Sequence, residues 1–250
     1  MDREVIFINM NSESINAYNL SERVITYDAD MALMHPNRTK MVEIALQVIP
    51  FEPQQSFTAL DLGVGTGFFT QAVLDHYPNS RIIAIDGAEA MVELAKVRLK
   101  AKADRVDFRI GDFRQLGQIV SSQRGQLVFS SYALHHLTWN EKLAVIRDAL
   151  GFLEPGGWFL NADLVVASDP EIEKRIQKVR EQRIVQRASG RDPRFRDLDA
   201  TRLFLDKLEA EDHDQPLKLA EDLQILKEAG LQSASVFWME YREAVTGGIR

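Results

Sequence analysis

The sequence predicts an α/β fold, a doubly wound and mostly parallel sheet of seven strands with helices on both faces. Three observations predict it. The apolar run Thr58–Leu62 breaks into three alternating glycines, Gly63, Gly65 and Gly67, and a helical pattern begins at once. Short apolar runs and helical stretches then alternate from residue 58 to about residue 165, a rhythm that requires right-handed βαβ crossovers. Asp61, Asp86, Asp112 and Ser130 each fall at or near the carboxyl end of a predicted strand, the edge at which such sheets bind ligands.

Taken in order, residues 1–20 are rich in Asn and Ser, carry no periodic pattern, and read as a strand-like arm or a flexible lead. From Ser21 the pattern is helical, with Val24, Tyr27 and Met31 on one face. Pro36 interrupts it, and 39–48 is a second helix with Met41, Ile44, Ala45 and Val48 inward. Residues 1–50 are thus expected to form an N-terminal helical cover. Strand 58–62 leads to a helix over 67–76, stopped by Pro78-Asn79. Strand 81–85 leads to a helix over 89–101, strand 105–110 ends at Gly111-Asp112, and strand 126–130 ends at Ser131-Tyr132. A helix over 140–153 precedes strand 158–165.

Residues 170–214 break the rhythm. A helix over 171–188, with Ile172, Ile176 and Val179 in a stripe, and another over 198–208 flank the turn 189–193. This insertion follows the fifth strand, at the ligand-binding edge, and is expected to be a helical lid. Its first half is basic, which a solvated helix face explains; the alternative is that an arginine reaches an acidic substrate. The chain closes with a helix from about residue 217, stopped at Gly230, and two strands, 233–241 and 243–246, placed to form a hairpin. The whole of 1–250 reads as one domain.

Composition narrows the function classes. An apolar fraction of 45% over 250 residues supports a sizeable core. A net charge of −7 speaks against non-specific binding to nucleic acid, which needs a basic surface. With no cysteine there is no disulfide, thiolate chemistry or cysteine–zinc site. No basic-then-apolar leader and no run of 18 apolar residues is present, so a soluble, cytoplasmic protein without membrane contact is expected.

The glycine turn alone also suits a dinucleotide-binding protein, and two details separate the readings. The spacing is G-x-G-x-G, with Phe68 where the dinucleotide fingerprint wants its third glycine. Asp61, two residues before the first glycine, would repel a pyrophosphate seated on the helix N-terminus. It favours a ligand with positive charge and no phosphate, such as S-adenosylmethionine, whose sulfonium and amino group are cationic. Asp86, nineteen residues after Gly67, suits the two hydroxyls of a ribose. The competing reading is a buried strand-to-helix turn with no ligand.

Asp61-Leu62-Gly63-Val64-Gly65-Thr66-Gly67 resembles motif I of the class I S-adenosylmethionine-dependent methyltransferases, which have a Rossmann-like sheet with an antiparallel last strand. Ile85-Asp86-Gly87-Ala88, Gly111-Asp112-Phe113, 127–131 and 153–157 fall where that family has its other landmarks. The resemblance covers about residues 20–250 and is to the small-molecule branch, more distantly to carboxy-S-adenosylmethionine synthase. It implies a cofactor site in which Asp61, Gly63 and Gly65 surround the methionine part. Asp86 and Gly87 would hold the ribose, and Asp112 and Phe113 the adenine, with Ser130 at the same edge. Met91 could pack on the adenine face, and Tyr27, matching a Tyr-Asp pair of related enzymes, could cover the cofactor; both are also ordinary packing residues. Related enzymes often carry an arginine four residues after that Tyr, where this chain has Met31.

After the fourth strand comes Ser130-Ser131-Tyr132-Ala133-Leu134-His135-His136, without the Pro-Pro-aromatic motif of family members that methylate amide or exocyclic nitrogens. His135 and His136 are the candidate catalytic bases for a hydroxyl or carboxyl nucleophile, against the alternative that they cap and pack. No metal site is expected. The implied reaction is methyl transfer from S-adenosylmethionine to a small molecule at O, N or C, by one chain or a homodimer. The rival readings are a carboxy-S-adenosylmethionine synthase, with Arg202 to hold a carboxylate, and a binding module without catalysis.

Overall fold

Between β1 (Thr58–Leu62) and β4 (Gly125–Ser131) the chain reverses its direction of travel across the sheet, and the crevice at this switch point organises the molecule. The computed structural model describes residues 13–250. The seven strands run in the order β3-β2-β1-β4-β5-β7-β6, with β2 at Arg81–Asp86, β3 at Val106–Ile110 and β5 at Leu153–Leu164. These five pair in parallel. The hairpin of β6 (Ser235–Glu240) and β7 (Glu243–Ile249) inserts β7 antiparallel between β5 and β6.

Ten helices are described: α1 Glu13–Ala17, α2 Ser21–Met34, α3 Arg38–Val48, α4 Phe68–His76, α5 Glu89–Arg98, α6 Leu116–Val120, α7 Trp139–Phe152, α8 Pro170–Ala188, α9 Leu198–Glu211 and α10 Leu219–Ala229. The period-2 alternation of the strands sends their apolar residues to two cores. Ala59, Ile82, Ala84 and Phe129 meet α3, α4 and α5, while Leu60, Leu62, Ile83, Ile85 and Val128 meet α6, α7 and α10. Local chemistry sets the helix ends. Thr138 and Glu141 form a reciprocal capping box on α7, Asp169 caps α8 with Pro170 in its first turn, and Gly230 at φ 116° stops α10.

Three expectations are corrected. Within the first 20 residues, 13–17 is a helical turn, neither strand-like nor a lead, while 1–12 lie outside the described residues. The short helix α6 was not foreseen. The inward face of α8 is not the Ile172 stripe: Ile172 is exposed, and Ile184 and Ala188 are buried instead. They pack with Met34 of α2, Phe195 and Leu205 in a third, small core. In the N-terminal half of α8 the cover is partial: Ile176 and Val179 are half-buried and Ile172 is exposed.

The basic half of the insertion is tied down by ion pairs. Arg180 meets Glu209 at 2.9 Å, Arg183 meets Glu240 at 3.0 Å, and Arg194 makes a bidentate contact to Asp30. Arg202 is taken by Glu181 and Asp206, at 3.0 and 2.6 Å. No helix among the described residues is long and apolar enough to cross a membrane.

Candidate active site

The cleft at the switch point spans about 800 Å³, part of it open to solvent, and is built first from the turn between β1 and α4. Gly63 and Gly65 have φ of +77° and +52°. A Cβ on Gly63 would lie 2.5 Å from the Cβ of Ala133, whereas the space beside Gly65 is open. Gly63 is therefore required by its packing on Ala133, and Gly65 leaves open a space that a side chain would occupy. Across it stands Asp86 at the end of β2, whose two oxygens accept from Gly65 N at 2.8 Å and Ala88 N at 2.9 Å. Burial raises its pKa against the lowering effect of these backbone N–H groups. Asp112 caps the turn after β3 by accepting from Arg114 N at 2.9 Å, and Phe113 follows it into the cleft.

Of the residues expected at the cofactor site, Tyr27, Gly63, Gly65, Asp86, Gly87, Met91, Asp112 and Phe113 line this one cleft. Asp61 and Ser130 do not. Asp61 shares the face of β1 that packs on α4, so its carboxylate turns to Thr70, whose hydroxyl donates at 2.5 Å. Burial, opposed by this bond, pushes its pKa up to about 7, so it presents no full negative charge to the cleft. Ser130 donates to the Leu62 carbonyl at 2.7 Å inside the sheet, and Ser131, one residue on, faces the cleft instead. Arg38 was missed by the sequence reading: it lines the cleft from the start of α3, 4.2 Å over the Phe68 ring and bonded to Asp28 at 2.8 Å. The signal was absent because the cation comes from a different helix than the Tyr27-Asp28 pair predicts.

The two histidines part company. His136 lines the cleft; His135 does not. His135 Nδ1 is 2.6 Å from Asp163, and its Nε2 is 3.2 Å from Asp214. Burial disfavours the charged ring, but these two carboxylates outweigh it and push the pKa up to about 10. Both acids are held below their ordinary range, chiefly by the His135 charge working against burial. The same Asp214 oxygen lies 3.1 Å from His136 Nδ1, close but bent away from hydrogen-bond geometry. Burial and the neighbouring imidazolium lower the His136 pKa, so this ring is neutral near pH 7. Its Nε2 is 3.5 Å from the hydroxyl of Tyr18, which donates to Asp212 at 3.1 Å.

His135, His136 and Asp214 bring three possible metal-ligand atoms within 4.8 Å, a grouping that sequence spacing did not reveal. With its two carboxylates favouring the charged His135 ring, the cluster forms a chain of proton-sharing groups. Arg202, the candidate carboxylate holder for a synthase, is away from the cleft and consumed by Glu181 and Asp206.

Known proteins point the same way. Residues 59–157 match the family of methyltransferase domains. About two fifths of this chain is thus similar to methyltransferase domains. Methyltransferase YrrT of Bacillus subtilis is 32% identical over 130 residues, 52% of this chain and 58% of that protein. A malonyl-[acyl-carrier protein] O-methyltransferase of Acetivibrio thermocellus is 33% identical over 89 residues, covering 36% of this chain and 30% of its own. An O-methyltransferase family protein of Burkholderia thailandensis superposes with a TM-score of 0.68 at 15% identity, over 96% of this chain and 65% of that one, a likeness of fold alone. The matches span about half the length of the curated relatives. PigF, solved with S-adenosylhomocysteine, the demethylated form of the cofactor S-adenosylmethionine, superposes with a TM-score of 0.64 at 15% identity over 99% of this chain and 65% of that one.

The cleft fits that cofactor. The space beside Gly65 is open, the Asp86 oxygens stand at the cleft edge, and the Arg38 guanidinium lines the same cleft.

Proposed function

We propose that the protein transfers a methyl group from S-adenosylmethionine to a hydroxyl of a small molecule, with His136 as the general base. Bound in the cleft, the cofactor supplies an electrophilic methyl on a sulfonium. Gly63 and Gly65 would border its methionine part, Asp86 would hold the ribose, and Asp112 with Phe113 the adenine. Arg38 takes the role of the cation for the carboxylate that the sequence did not supply after Tyr27. The insertion 170–214 and the helices before residue 50 act as covers that exclude water from the reacting groups.

The observation that carries the reading is the line Asp163, His135, Asp214, His136. The buried Asp214 charge beside Nδ1 favours the tautomer protonated there, which leaves Nε2 as a proton acceptor on the cleft side. A neutral imidazole of lowered pKa takes the acceptor's hydroxyl proton as the oxygen attacks, and His135 with Asp163 keeps Asp214 ionised. A small acceptor, not nucleic acid, agrees with the net charge of −7.

The test is turnover of S-adenosylmethionine to S-adenosylhomocysteine in a metabolite extract. His136→Gln should lower the rate by about 10²–10⁴-fold while S-adenosylhomocysteine binds as before. An unchanged rate removes His136 as the base. Tight binding without turnover in any extract supports the second reading, a module that binds the cofactor without catalysis.

A further inference from the structure

A second cavity, spanning about 520 Å³ with part of it open to solvent, adjoins the cleft behind Tyr18, Tyr27 and Tyr132, which line both spaces. Its apolar walls are Met31 and Met34 of α2, Leu164 at the end of β5 and Leu208 of α9, so the N-terminal cover, the sheet and the insertion all contribute. Tyr132 stands at the junction with φ 49°, a left-handed conformation uncommon for a bulky residue, and its hydroxyl donates to Glu243 at 2.7 Å. The histidine pair spans the same junction, His136 lining the cleft and His135 the inner cavity.

The charges around this chamber are already matched. Arg23 pairs with Asp212, Arg180 with Glu209, and Asp30 with Arg194. Asp214 is shared by the two histidines. His35 is held neutral by burial against Glu243. The three tyrosines stay protonated, each raised chiefly by burial. A carboxylate or ammonium entering the chamber would find no counter-ion that is not already used, and would leave a desolvated charge unpaired. An uncharged molecule meets aromatic and aliphatic walls.

We infer that this inner chamber is the methyl-acceptor site and that it takes an uncharged, hydroxyl-bearing molecule with a largely apolar body, excluding carboxylates and amines. The inference rests on the proposed methyl transfer and names the substrate class of that site. The hydroxyl end lies toward His136 and the apolar body toward Met34 and Leu208.

Three probes of one shape test it: 2-naphthol, 2-naphthoate and 2-naphthylmethylammonium, titrated calorimetrically at pH 7 into the protein with and without S-adenosylhomocysteine. 2-Naphthol should bind at least about tenfold more tightly than either ion. Leu208→Trp, which fills the chamber, should weaken 2-naphthol binding by about tenfold or more and leave the affinity for S-adenosylhomocysteine within about twofold. Asp212→Asn, nearly isosteric, strips Arg23 of its counter-charge and should raise 2-naphthoate affinity by about tenfold. The inference is overturned if either ion binds as well as 2-naphthol, or if neither substitution changes the affinities. Failure of S-adenosylhomocysteine to bind would defeat the proposed function separately, because the probe titrations without it still give the chamber its own result.

Discussion

Replacing Asp86 with alanine tests the cofactor site at the point where turn and ligand meet. Each carboxylate oxygen accepts one backbone N–H, from Gly65 at 2.8 Å and from Ala88 at 2.9 Å, and retains a lone pair for a ribose hydroxyl. Hydrogen bonds to a charged group contribute about 1.5–3 kcal/mol each, so losing a pair to the ribose at the lower figure removes about 3 kcal/mol. That corresponds to a dissociation constant for S-adenosylhomocysteine roughly a hundredfold weaker. The free protein loses as well, because Gly65 N and Ala88 N must turn to water. At about 1 kcal/mol per exchanged bond the cost is about 2 kcal/mol. In a chain of this size that lowers Tm by about 4–8 °C. Asp86→Asn, keeping one acceptor oxygen, should fall between parent and alanine variant in both measurements. Calorimetric titration and thermal unfolding on the same preparations give the two numbers. Affinity unchanged in Asp86→Ala, with the Tm drop present, would leave Asp86 as a turn anchor and refute the ribose assignment.

Three further outcomes follow from the geometry. His135, whose folded pKa of about 10 lies above its unfolded value, stabilises the fold fully below about pH 6.5 and loses that contribution as pH rises through its folded pKa. Urea unfolding should therefore show stability falling from pH 7 to pH 9.5 in the parent and a flatter dependence in His135→Gln; equal slopes would mean the ring is not held as an imidazolium. Gly63→Ala puts a Cβ 2.5 Å from Ala133 at a φ of +77°, and should cost more than about 2 kcal/mol together with most of the S-adenosylhomocysteine affinity, read by denaturation and titration. In hydrogen exchange, amides of Pro170–Ala188 and Leu198–Glu211 should exchange faster than those of β1 and slow on addition of S-adenosylhomocysteine, since only a small core and ion pairs hold these helices; equal and ligand-independent protection would make them a fixed subdomain.

What the sequence determined by itself is what short-range pattern controls. Alternating glycines after an apolar run can only make a tight turn before a helix, and the rhythm of strands and helices dictates a parallel sheet whose carboxyl edge carries Asp86, Asp112 and Phe113. Which way a side chain points at that edge was decided by the tertiary structure. Asp61 and Ser130 sit where the motif puts them, but strand parity aims one at Thr70 under α4 and the other at the Leu62 carbonyl. The proton chain also lay beyond local reading, because His135 meets Asp163 on the neighbouring strand β5 and Asp214 only after the inserted helices return the chain to the cleft. The insertion's arginines carried the same ambiguity: in sequence they are free charges, and folding decides that Arg202 is spent on Glu181 and Asp206 while Arg38, from a helix before the sheet, reaches the cleft. Backbone geometry follows from neighbours in the chain. The partner of a charge is chosen only when distant segments pack, since burial makes an unpaired ion too costly and so selects which side chains must meet.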